Sequence, residues 1–293
     1  MSLVPGVTHD SIDLDDITLH VAFAGDPEGP PVVLLHGFPE FWYSWKHQIP
    51  ALARAGFRVI APDMRGYNLS SKPEGVRSYD ADLLARDISL LIQATGYETA
   101  HIVGHDWGAA VAWYVAMTTP ERVSRLAILN GPHPSQFLRR LLLDPRQMRR
   151  SWYIFLFQLP GIAERRIQRH DFAELRRMLR RDPVRPGAFT CEDIERYVEA
   201  LSRPGALRAA IHYYRAALRG GPLKLFRRTR PVEAETLIIW GRKDRYLGPA
   251  LAEPGPALVP KRRTVFLPEA GHWVHFDAPD DVNHHLVAHF SGD

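Results

Sequence analysis

Asp106 stands between Gly104 and Gly108, after the apolar run Ala100 to Val103 and before the small residues Ala109 and Ala110. A strand, a tight turn and a helix in that order lift the central side chain clear of a sheet, and glycines on both sides let the backbones meet. Such a turn usually carries a serine, which attacks an acyl carbon only with the help of a base. Here it carries a carboxylate, which is ionised at neutral pH and attacks carbon unaided. The chemistry expected is displacement of a leaving group from an sp3 carbon, with a covalent alkyl ester on Asp106.

An ester must then be hydrolysed, and two side chains lie where helpers are needed. Asp244 follows the strand-like Leu237 to Trp240, and His272 follows Thr264 to Leu267. Groups at the carboxyl ends of parallel strands gather at one edge of the sheet. His272 is expected to take a proton from the water that attacks the ester. Asp244 is expected to hold its tautomer and stabilise the imidazolium.

Placing three residues on one edge requires a particular order of elements. Thr8 to Leu14 and Ile17 to Phe23 alternate with period two about Asp15-Asp16, which predicts a hairpin at a sheet edge. Short apolar runs at Pro31 to Leu35, Phe57 to Ala61, Ala100 to Val103 and Arg125 to Leu129 predict buried strands. Helical patterns lie between them at Ser44 to Ala55, Ala81 to Thr95 and Ala109 to Thr118. That alternation predicts an α/β fold, a mostly parallel sheet covered by helices on both faces. After Asn130-Gly131-Pro132 the pattern is helical only, until strands return at Thr236 to Trp240 and Thr264 to Leu267 and a last helix runs from Asp280 to Phe290. The expected organisation is a core of residues 1–130 and 231–293 with an all-helical cap inserted at 131–230.

With His36-Gly37-Phe38-Pro39-Glu40, Arg65-Gly66-Tyr67, the Asp106 turn, Asp244 and His272, the sequence resembles the bacterial soluble epoxide hydrolases of the α/β-hydrolase family. The chain order of nucleophile, acid and histidine is that family's. The resemblance runs from His36 to about Phe290, and departs at Asn68, where the family often has glycine. It implies an oxyanion hole from the backbone N–H groups of Phe38 and Trp107, a cis Phe38-Pro39 bond, and no cofactor beyond water. It also implies two ring-opening tyrosines, matched here by Tyr153 in Ser151-Trp152-Tyr153 and Tyr214 in Tyr213-Tyr214-Arg215, with Tyr213 the competitor for the second role.

The tyrosines discriminate between leaving groups. An epoxide oxygen leaves as an alkoxide whose alcohol has a pKa on the order of 15, so it needs an acid, and a phenol near pKa 10 serves. A halide needs only N–H donors. Haloalkane dehalogenases, the alternative, often carry asparagine where Phe38 stands, and fluoroacetate dehalogenases carry arginine at the position of Trp107. A non-catalytic small-molecule binder on the same fold is the remaining reading. The apolar residues Trp152, Phe155, Phe157, Leu159 and Phe189 predict an apolar pocket between cap and core.

Bulk properties fit a globular enzyme. The chain has 293 residues, 45% of them hydrophobic, and a net charge of +4. Charge is uneven: residues 131–230 hold 22 basic against 9 acidic side chains, and the remainder 15 against 24. The arginines come in pairs without a nucleic-acid motif, so solvated helix faces are expected rather than nucleic-acid binding. The single Cys191, the absence of a leader-like start and of an apolar run near 20 residues predict a cytoplasmic protein that does not insert in membranes, monomeric or homodimeric. His285 and His289 lie one helical turn apart, but no third ligand accompanies them, and no metal is expected.

Overall fold

The computed structural model describes residues 3–220 and 228–292. Eight strands form one sheet: β1 Thr8–Asp13, β2 Thr18–Ala24, β3 Pro31–Leu35, β4 Arg58–Pro62, β5 Ala100–His105, β6 Val123–Leu129, β7 Glu235–Gly241 and β8 Arg262–Leu267. Their order is β1-β2-β4-β3-β5-β6-β7-β8, antiparallel at β1-β2 and β2-β4 and parallel elsewhere. All eight expected strands are present, and the β1-β2 hairpin lies at the edge. The central strands are apolar on both faces because both are covered; Val32 to Leu35 and Leu126 to Leu129 are fully buried.

Between the strands lie α1 Gln48–Arg54, α2 Ala81–Ala94 and α3 Trp107–Thr118. The first of these is shorter than expected, because a 3-10 turn at Trp42–Trp45 precedes it. From β6 to β7 the described elements are helices only: α4 Pro134–Leu143, α5 Pro145–Arg150, α6 Tyr153–Leu156, α7 Ile162–Arg181, α8 Cys191–Ser202 and α9 Ala206–Arg219. The backbone of α7 leaves helical geometry at Arg169 to Phe172. Two further helices, α10 Val274–Asp277 and α11 Pro279–Ser291, close the chain. Among the described residues no helix is long and apolar enough to cross a membrane.

The helical segment sits against the sheet's carboxyl edge through particular contacts. Tyr43 and Lys46 reach Asp193 of α8 at 2.9 and 2.6 Å, and the Tyr213 hydroxyl donates to the Arg65 carbonyl at 2.7 Å. Phe189 stacks on Phe276 with centroids 4.1 Å apart. Asn68, where a glycine was the more usual residue, has φ +39° and donates to Asp63 at 2.8 Å. Asparagine tolerates that left-handed backbone because its short amide bonds locally.

Candidate active site

Asp106 joins β5 to α3 with φ +51° and ψ −114°, a backbone that few residues adopt. Crowding on both sides explains its glycine neighbours. A Cβ on Gly104 would sit 2.5 Å from the Gly108 carbonyl oxygen, and one on Gly108 would sit 2.0 Å from that of Leu35. Strand, turn and helix therefore hold the carboxylate at the sheet edge with little freedom.

The three expected residues meet there. His272 Nδ1 lies 2.8 Å from Asp244 Oδ2, and its Nε2 faces Asp106 Oδ2 at 3.6 Å. The Nδ1 proton must donate to the Asp244 carboxylate, which leaves Nε2 free to act on the Asp106 side. Asp244 is fully engaged: Oδ2 also accepts from the Asn130 amide at 2.7 Å, and Oδ1 accepts from the N–H groups of Tyr246 and Leu247 at 2.7 and 2.9 Å. Burial pushes its carboxyl up, but the His272 charge and these donors outweigh that and hold it below its ordinary pKa. Burial likewise pushes the His272 imidazole down, yet the carboxylates of Asp244 and Asp106 outweigh it and raise it to about 10.

The Phe38 N–H donates to Asp106 Oδ1 at 2.9 Å, and the Phe38-Pro39 bond is cis. Trp107 is the first residue of α3, so its N–H has no partner within the helix and lies at the positive end of the helix dipole. Two cavities, of about 350 and 390 Å³, share Asp106 in their lining, and Tyr153 and Tyr214 line both. The Tyr153 and Tyr214 rings stand 5.9 Å apart, centroid to centroid. Burial, with the Asp106 charge next, pushes both phenols well above 10, so they keep their protons. Tyr213, the competitor, packs on Tyr67 and Tyr79 and spends its hydroxyl on Arg65.

The expected pocket residues separate. Phe157 and Trp152 line the second cavity, Trp152 half-exposed at its rim. Phe155 lines neither cavity and faces outward, because it falls on the helical face opposite Ile154 and Phe157. Leu159 is outward too, and Phe189 is spent on the joint with Phe276. The first cavity is lined instead by Val111, Phe137, Leu138 and Leu141.

Two sets of bonds around the site were not legible in the sequence. Asn130 bridges Asp244 and the Gly241 N–H, the latter at 2.9 Å. Glu40 accepts from the Gly37 N–H at 2.8 Å and pairs with His105 at 2.9 Å, whose other nitrogen donates to the His272 carbonyl at 3.0 Å. This buried bond set ties the Phe38 loop, β5 and the His272 loop together. His289 bonds the Leu126 carbonyl at 3.0 Å.

The sequence profile described as alpha/beta hydrolase fold matches residues 30–279. The chain therefore belongs to the alpha/beta hydrolase fold family. Within it, the chain is 46% identical over 280 residues to the AB hydrolase superfamily protein YfhM of Bacillus subtilis, covering 95% of this chain and 96% of that one. It is 37% identical over 283 residues to epoxide hydrolase 4 of Mus musculus, covering 94% of this chain and 77% of that one. The crystal structure of a variant of an epoxide hydrolase from Bacillus megaterium superposes with a TM-score of 0.88 at 32% identity, over 96% of this chain and all of that one.

Proposed function

We propose that this protein is an epoxide hydrolase that opens an apolar epoxide to a vicinal diol through an ester on Asp106, working in the cytoplasm. Residues 131–230 act as a cap over a core formed by the rest of the chain. The observation that carries the reading is the placing of one carboxylate and two protonated phenols on the same pair of cavities. Its relatives named as epoxide hydrolases support it.

Asp106 attacks one epoxide carbon while Tyr153 and Tyr214 hold the ring oxygen and one of them gives it a proton. Ester formation removes the Asp106 negative charge. That charge is one of the causes holding His272 protonated, so its loss lets the imidazole give up its proton and stand neutral, ready to accept one when the ester meets water. His272 then takes a proton from the water attacking the ester carbonyl. The N–H groups of Phe38 and Trp107 receive the oxyanion.

Turnover of an aryl epoxide beside a bromoalkane of similar size tests this reading. Diol formation with no bromide release is expected. Bromide release without diol would make the protein a dehalogenase, and saturable binding without either product would make it a binder.

A further inference from the structure

We propose that the helical surface spanning residues 142–162 docks on an anionic lipid bilayer. Among the described residues nine large hydrophobic side chains are exposed, and seven of them fall in this stretch. Five, namely Met148, Trp152, Phe155, Leu159 and Ile162, recur at intervals of four, three, four and three residues, and are 42% to 52% exposed. For Met148, Trp152 and Phe155 that interval marks one side of a helix, the backbone from Pro145 to Gln158 being helix or turn throughout, and Leu159 and Ile162 follow across the Pro160-Gly161 break, where Gly161 has φ +74°. Gln147, Ser151, Ile154 and Phe157 form the complementary buried side. The run therefore turns one edge inward and leaves a second, apolar one on the surface, with the Arg166 guanidinium 5.5 Å over the Trp152 ring, which is unusual on a monomer surface.

Charge selects the occupant. Seven exposed arginines lie between positions 139 and 166, against two carboxylates, Asp144 and Glu164. Glu164 is taken by Arg215 at 2.7 Å, Asp144 caps α5 and pairs with Arg140 at 3.6 Å, and Arg166 pairs with Glu174 at 2.9 Å, so five of the seven arginines have no carboxylate against them among the described residues. A second copy of the chain meeting this face about a two-fold axis would set the same arginines against each other, which costs affinity. A bilayer with anionic headgroups instead takes apolar side chains at its acyl boundary and arginines among its phosphates. Trp152 and Arg166 of this surface also line the second cavity. An apolar substrate dissolved in the bilayer would thus reach Asp106 without crossing water.

The full-length protein is sedimented with vesicles of phosphatidylcholine alone and of phosphatidylcholine mixed with phosphatidylglycerol. Binding is expected to the mixed vesicles, falling at least tenfold as salt rises from roughly 0.05 to 0.5 M. Phe155→Ser with Ile162→Ser, which touch neither cavity, should weaken binding about tenfold or more while leaving turnover of a small water-soluble epoxide unchanged. Arg146→Glu with Arg149→Glu should do the same. Absence of binding to mixed vesicles would overturn the proposal, as would binding that ignores both the serine and the glutamate variants. A concentration-dependent dimer that the serine variant dissociates would overturn it in favour of a second copy. Vesicle binding is read without turnover, so it stands or falls apart from the epoxide reaction.

Discussion

The sheet edge and the helical segment hold their reactive side chains in different ways. At the edge, every oxygen of Asp244 is bonded, His272 is fixed through Nδ1, and the Asp106 backbone is confined by two close glycine contacts. In the helical segment, Tyr153 and Tyr214 are held by aromatic packing, against Tyr246 and Phe157 for the first and Trp107, Phe38 and Phe157 for the second. Hydrogen bonds at fixed strand ends set geometry to a fraction of an ångström, whereas ring contacts tolerate small sliding. The edge is suited to making and breaking the ester. The helices are suited to choosing which leaving group and which substrate shape are accepted.

Removing each phenol alone sharpens that division. Tyr153→Phe and Tyr214→Phe should each lower the rate of ring opening by about 10²-fold, with hydrolysis of a preformed ester little changed, as pre-steady-state kinetics can resolve. A loss below about threefold in one variant would take the acid role from that tyrosine.

A smaller effect tests the electrostatics of the edge. The folded His272 is raised to about 10 from its ordinary 6.5. A raised imidazole contributes stability fully below the unfolded value, and that contribution is lost as pH rises through the folded one. The gap in urea midpoint between wild type and His272→Gln should therefore be widest near pH 6 and shrink steadily towards pH 10. A gap that stays constant over this range would mean that the carboxylates of Asp244 and Asp106 do not hold the proton.

Much of the edge was legible in the sequence because it depends on local signals. Apolar runs mark the strands, Gly104 and Gly108 mark the turn, and strand ends place Asp244 and His272 beside it. Asn130 was read only as a break, since its partners Asp244 and Gly241 are more than a hundred positions away. His105 reads as a structural hydrogen-bonder, but its pairing with Glu40 was hidden for the same reason: a bond spanning 65 residues leaves no periodic trace. The helical segment misled in a different way. Trp152, Phe155 and Phe157 look alike in composition, but Phe157 lies two and five positions from the other two and so faces the other side of the helix, where it lines a cavity while Trp152 lies at the rim and Phe155 meets solvent. Phe189 was apolar for the sake of a joint rather than a pocket.

The covalent step is the centre of the account, and mass spectrometry of His272→Gln after a single turnover reads it directly. The account predicts a gain equal to the whole substrate, on the peptide carrying Asp106, that persists because water is no longer activated. An unmodified variant that still releases diol at the wild-type rate would contradict it.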